Sequence, residues 1–215
     1  MTSAVPTPPG DFAPLTETLH PGTVLYRAHA TVVSGNVQND GTLPNPGVGQ
    51  RTRFGLFGDP TVPILYAASS PEAAVHESLL HSMGPGAVLP MSAVTHWAIT
   101  PLEVTRPLTL VSYRGAGLRR FGLYPRDLTD TLASEYSATV RWAEAAWTYG
   151  ADGVGYMCRH FNHTAAYCLF GADHRGALRA QSGFPPRRHP GLLQRDREWL
   201  AAVAAEVGIH IDVMA

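Results

Sequence analysis

The sequence predicts an α+β domain, a mixed β-sheet core with flanking helices. Three observations carry that expectation. Short runs of alternating or wholly apolar residues read as strands, and longer 3.6-periodic segments read as helices. The two kinds are mixed without a regular βαβ rhythm, which argues against a doubly wound sheet. The chain has 215 residues, is 45% hydrophobic and only 15% charged, and so can fill one sizeable core.

Taken in order, residues 1–20 read as a flexible N-terminal lead-in, punctuated by Pro6, Pro8, Pro9 and Pro14. Residues 21–215 form a single domain, with a core over 23–172 and a C-terminal helix and strand over 190–214. Residues 23–29 (TVLYRAH) alternate as a first strand, and 33–48 form a long polar loop of the kind often used for binding. Residues 64–68 (ILYAA) read as a short buried strand. Ser69-Ser70-Pro71-Glu72 is a helix start, with Pro71 at the first helical position if Ser70 is the cap. That helix is expected to reach about residue 82, before Gly84-Pro85-Gly86. Strands follow at 94–99 and 102–111, separated by a turn at Thr100-Pro101. A helix is expected over 130–149 with Asp130 as its cap, then strands at 154–157 and 164–170. A last helix over 192–207 and a strand over 209–213 close the chain.

A formal net charge of −1 gives no reason to expect nucleic acid or an anionic membrane as partner. No apolar run is long enough to span a bilayer, and the first residues lack the charge and apolar pattern of a signal peptide. Two cysteines, Cys158 and Cys168, are too few for a disulfide framework, and the cytoplasm is the default location. All 16 basic residues are arginine, the side chain whose rigid donor fork grips phosphates.

Glu77 is the most informative acid. At helical spacing its neighbours are Ala73, Ala74, Leu80 and His81, so it serves either as a structural ion-pair partner or as a carboxylate set into a site. His76 and His81 are five residues apart, about 140° around a helix, so they do not form the zinc-binding H-E-x-x-H pattern. Cys158, His160, His163 and Cys168 cluster in sequence, but they lack a C-x-x-C knuckle and Cys168 reads as core, so no metal is expected. Cys158 is a thiol nucleophile or a small residue lining a site. Arg27 follows Leu25-Tyr26, Arg51 and Arg53 follow the long loop, and Phe54 and Tyr66 lie close by. Basic forks beside aromatic faces suit a dinucleotide, with charge for the pyrophosphate and rings for stacking. No G-x-G-x-x-G or Walker loop is present.

In order along the chain, these pieces resemble the RES-domain family, named for its Arg, Glu and Ser. The matching segments are Leu25-Tyr26-Arg27, Arg53-Phe54, Leu65-Tyr66-Ala67-Ala68 and Ser70-Pro71-Glu72-Ala73-Ala74 up to Glu77. They continue with Asp152-Gly153-Val154-Gly155-Tyr156-Met157-Cys158-Arg159 and Tyr167-Cys168-Leu169-Phe170. The stretch from Leu65 to Glu77 is the most specific. Cys158 stands where the family has its Ser, and it is a weaker hydrogen-bond donor.

The resemblance implies an ADP-ribosyltransferase-like fold and NAD⁺ breakdown at the nicotinamide–ribose bond, by hydrolysis or phosphorolysis, with NAD⁺ as substrate and no cofactor. It also implies a toxin held by a protein antitoxin of the Xre type, with a homo-oligomer left open. Under it, Glu77, Arg27 and Cys158 are the expected catalytic residues, and Arg53, Phe54, Tyr66 and Tyr26 are the expected NAD⁺-binding residues. An ADP-ribosyltransferase and an inactive nucleotide- or partner-binding module are the alternatives.

Overall fold

The fold is taken from a computed structural model that describes residues 5–45, 50–172, 174–183 and 186–212. The strands are β1 (Thr16–Leu19), β2 (Val24–Ala30), β3 (Val32–Val33), β4 (Val37–Gln38), β5 (Ile64–Ala68) and β6 (Val88–Pro90). They continue with β7 (Trp97–Val104), β8 (Leu108–Tyr113), β9 (Gly153–Met157), β10 (Ala165–Phe170), β11 (Leu178–Ala180) and β12 (His210–Asp212). The helices are α1 (Pro71–His76), α2 (Ala116–Arg120), α3 (Pro125–Leu128), α4 (Tyr136–Thr148), α5 (His174–Ala177) and α6 (Gln194–Ala205).

Eight strands form one mixed sheet in the order β1-β8-β9-β10-β5-β2-β7-β11. The β8–β9 pair is parallel and the other neighbours are antiparallel. The two faces bury separate sets of side chains, as alternation along a strand requires. Leu25, Leu65, Leu102 and Leu110 fill one face. On the other, Ala68, Ala73, Val154 and Cys168 join the aromatic cluster of Phe54, Tyr113, Trp142 and Tyr156. A third cluster, including Val75, Ile99, Leu200 and Val203, seats α6. Gly153 is required by close packing, since a Cβ there would lie 2.4 Å from the Cys168 carbonyl oxygen.

The feature that makes room for a site is a split in the sheet. β2 and β5 are neighbours, yet their register is limited to Tyr26↔Ala68. Beyond that point Arg27–Ala30 stays paired with β7, and β5 turns to pair through Ile64 with Asn45. The backbones part, and a cleft opens between them.

Several boundaries differ from the sequence expectation. The lead-in contains an edge strand: β1 pairs with β8 from Thr16↔Val111 to Leu19↔Leu108. Ahead of it, Val5 is buried and the Pro6 carbonyl accepts a 2.7 Å bond from the Trp142 indole. α1 begins as expected, with the Ser70 hydroxyl accepting from Ala73 N, but it stops at His76. The chain from Glu77 to Met83 runs on in tight turns, with Leu80 N bonded to Val75 O. No break occurs at Thr100-Pro101, because β7 runs straight through both. There Pro101 sits opposite Tyr26, and the turn to β8 lies at 105–107. α4 starts at Tyr136 after a 3₁₀ turn, and Asp130 does not cap it. No helix among the described residues is long and apolar enough to cross a membrane.

Candidate active site

The cleft between the parted strands has a volume of about 520 Å³ and is lined by residues from several segments of the chain. β2 supplies Arg27 to Ala30, the loop before β5 supplies Thr52 and Arg53, and β5 supplies Tyr66. The chain after α1 supplies Glu77 and His81, while Tyr136 and Tyr156 come from α4 and β9. That volume falls within the range of small-molecule sites.

Glu77 is the C-cap of α1. Its Oε2 accepts a 2.8 Å bond from the Tyr156 hydroxyl and its Oε1 a 3.1 Å bond from Arg159 N. Each oxygen therefore has a fixed donor, which sets the orientation of the carboxylate. Burial first, and the Glu77 charge second, hold the Tyr156 phenol well above its usual pKa, so it remains a donor. Arg159 is anchored away from the cleft by Asp130, at 2.7 Å, and by the Thr131 carbonyl, at 3.1 Å.

Arg27 is 4% exposed. Its guanidinium donates to the Gly41 carbonyl at 2.8 Å, to the Leu43 carbonyl, and to Asn45 Oδ1 at 3.1 Å. It thus pins the loop that forms one cleft wall. Gly41 fits beneath it with φ +102°, where a Cβ would lie 3.1 Å from His29 Nε2. Burial lowers the Arg27 pKa to about 10, and Asp40 opposes that shift, so it stays charged at neutral pH.

Arg53 is 3% exposed, and its Nε and one Nη are buried without a hydrogen-bond partner among the described residues. Its guanidinium lies over Tyr136, 5.6 Å from the ring centroid, and 6.0 Å from that of Tyr156. Aromatic faces repay part of the desolvation of a cation, yet open donors on a buried guanidinium are expensive. This is the arrangement expected of a group awaiting an anion. Tyr66 closes the cleft floor, its hydroxyl accepting from Phe54 N and donating to Thr52 Oγ1, both at 3.0 Å.

Four of the seven expected site residues thus lie in the cleft and three do not. Glu77, Arg27, Arg53 and Tyr66 line one cleft, together with Arg51, whereas Cys158, Phe54 and Tyr26 do not. Cys158 is fully buried behind the carboxylate, with its sulfur 4.0 Å from the Ala73 carbonyl oxygen. Burial and the neighbouring Glu77 push its thiol far above the ordinary range, which removes the thiolate that a nucleophile needs. Phe54 belongs to the core, edge-on to Tyr156 at 5.2 Å. Tyr26 packs between the core clusters beside Pro71 and Arg188, away from the cleft.

Sequence reasoning missed Tyr136, Tyr156, His81 and Trp97 as cleft residues. Tyr156 lies in a strand where an aromatic reads as core, and Tyr136 sits in an amphipathic helix where an aromatic reads as packing. His81 Nε2 is 3.2 Å from the Tyr136 hydroxyl, and its buried Nδ1 has no hydrogen-bond partner among the described residues. Desolvation lowers its pKa, against the raising effect of Glu77. Among the described residues, no three His, Cys, Asp or Glu side chains converge as a metal site.

The sequence profile of the RES domain matches residues 24–190, a span that includes every residue of the cleft. No curated protein matches the chain significantly. Among solved structures, the chain is similar to one in the M. tuberculosis MbcT–MbcA toxin–antitoxin complex. That likeness has a TM-score of 0.52 at 18% identity, over 76% of this chain and 84% of the other. At that identity the likeness speaks to the fold alone, and it agrees with the expected α+β architecture of a mixed sheet with flanking helices. With the profile covering most of its length, the chain belongs to the RES-domain family.

Proposed function

We propose that the protein is an NAD⁺-degrading enzyme that cleaves the nicotinamide–ribose bond and passes ADP-ribose to water or phosphate. The observation that carries this reading is the pairing of a two-point-held carboxylate, Glu77, with the open-donor guanidinium of Arg53 in one aromatic cleft. Membership of the RES-domain family supports it.

As the C–N bond breaks, its electron pair goes to the nicotinamide ring nitrogen, and the pyridinium becomes a neutral leaving group. Positive charge then develops on the ribose, as in glycoside hydrolysis. A carboxylate fixed by Tyr156 and Arg159 N is already aimed and needs no reorganisation to stabilise that charge. One key carboxylate suffices because the leaving group needs no proton. Arg53 supplies the counter-charge for the diphosphate, Arg27 shapes the wall, and Tyr66 presents a ring towards the nicotinamide ribose. Cys158 supports Glu77 from behind.

The similarity to a chain from a toxin–antitoxin complex supports a further step: this enzyme is the toxin of such a pair, held by a protein antitoxin, of the Xre type in the family pattern. The test is mass analysis of the products formed from NAD⁺ with and without phosphate. ADP-ribose identifies hydrolysis and its 1″-phosphate identifies phosphorolysis. Label transferred to a macromolecule would replace this reading with ADP-ribosyltransfer, and intact NAD⁺ would leave a binding module.

A further inference from the structure

The two ends of the cleft differ in chemistry, and only one of them holds Glu77. At the Glu77 end, buried polar atoms stand open: Arg53 Nε and His81 Nδ1 have no partner among the described residues. The other end lies along the β2–β7 ladder. Arg27 faces Thr100, and three residues further Ala30 faces Trp97, a distance of about 10 Å along the strand. Trp97, Ala30 and Val33 line the cleft there.

Two polar side chains at that end, His29 and Asn39, are engaged internally. His29 Nδ1 bonds the Ala30 carbonyl at 2.9 Å, and its Nε2 bonds Thr100 Oγ1 at 2.8 Å. Burial lowers the His29 pKa to about 4, so it carries no charge at neutral pH. Asn39 donates to the Ala30 carbonyl at 3.0 Å and accepts from Gly41 N at 2.9 Å. Half-buried Trp97 also packs against the cluster that seats α6. What remains lining the cleft there is an indole and two aliphatic side chains, with both His29 ring nitrogens and the Asn39 amide oxygen already engaged.

We propose that this end is a base-stacking subsite, in which Trp97 holds the purine of the dinucleotide by its face without reading its edge. The inference rests on the reading of NAD⁺ as substrate and adds a substrate specificity to it. Stacking on an aromatic ring is tolerant of the base, because every base has a π face, whereas discrimination between bases needs unspent donors and acceptors. The enzyme therefore prefers dinucleotides to mononucleotides but is indifferent to adenine against hypoxanthine.

The test measures nicotinamide release by the full chain from NAD⁺, nicotinamide hypoxanthine dinucleotide and nicotinamide mononucleotide. The hypoxanthine analogue is expected to match NAD⁺ within a few-fold in kcat/KM. The preference for NAD⁺ over the mononucleotide is expected to fall roughly tenfold in Trp97→Leu, mainly through KM, and to be largely restored in Trp97→Phe. An unchanged preference in folded Trp97→Leu, or strong rejection of the hypoxanthine analogue, would overturn the inference. Should Trp97→Leu not fold, the hypoxanthine comparison on wild type decides alone. If wild type releases no nicotinamide, the proposed function fails separately, and calorimetry with ADP-ribose decides the subsite. Binding weakened by Trp97→Leu supports it, and unchanged or absent binding overturns it.

Discussion

The Tyr156 hydroxyl donates to Glu77 Oε2 across 2.8 Å, joining the middle strand of the aromatic core to the end of α1. The bond fixes the carboxylate from a position 79 residues away in sequence. Tyr156→Phe removes that donor but keeps the ring that Phe54 and Arg53 contact. The expected outcome is a stability loss of about 1 kcal/mol with a fall in kcat of roughly tenfold, since orientation rather than charge is lost. Thermal melts and nicotinamide-release kinetics on the same preparation check both parts.

Arg53 is buried with two guanidinium nitrogens that have no partner among the described residues, a cost to the free fold. Its replacement by methionine keeps much of the volume and removes buried donors that have no partner among the described residues. Arg53→Met is therefore expected to melt no lower than wild type, while KM for NAD⁺ rises by on the order of tenfold or more. A large drop in melting temperature would show that the guanidinium serves the fold instead.

The Cys158 thiol is buried and its pKa is raised by burial and by Glu77. Native protein is expected to resist iodoacetamide at this residue, and Cys158→Ala to keep activity within about tenfold, the change reflecting altered support for Glu77. Complete inactivation of Cys158→Ala with normal folding, or active-site labelling at Cys158, would restore the nucleophile.

The pH dependence of stability has a defined sign. His29, His76, His81 and His189 all have lowered pKa values, with burial as the largest cause. Each binds a proton less readily folded than unfolded, so its contribution is fully present above about pH 6.5 and is lost as pH falls. For His29 the window runs from 6.5 down to about 4, and the loss is on the order of 3 kcal/mol. Urea midpoints between pH 7.5 and 4.5 are expected to fall steadily, and to fall less in His29→Asn.

Much of the fold was legible because local signals and packing agreed. The alternation of residues 23–29 and the apolar run 64–68 emerge as β2 and β5, and Ser70 caps α1 as its sequence signature requires. Boundaries failed where tertiary contacts outweighed local pattern. Pro101 does not interrupt β7, because Thr100 and Leu102 are both paired with β2 and Leu102 is also paired with β11. The proline-rich lead-in is held by the Trp142 indole and by the β8 edge, neither of which is local to it. In the cleft, the charged residues Glu77, Arg27 and Arg53 stood out by type. Phe54 and Tyr26 did not separate from the core, because an aromatic looks the same in sequence whether it stacks on a ligand or on Tyr156. The tyrosines that orient Glu77 and flank Arg53 were hidden for the same reason.

The central claim is that Glu77 is the carboxylate that drives nicotinamide release. The most direct measurement is nicotinamide formation from NAD⁺ by wild type and by Glu77→Gln, in phosphate and in phosphate-free buffer, with folding checked by circular dichroism. Glutamine keeps the acceptor for Tyr156 but carries no charge, so turnover is expected to fall by on the order of 10²-fold or more while the fold is retained. Normal turnover by folded Glu77→Gln would contradict the account.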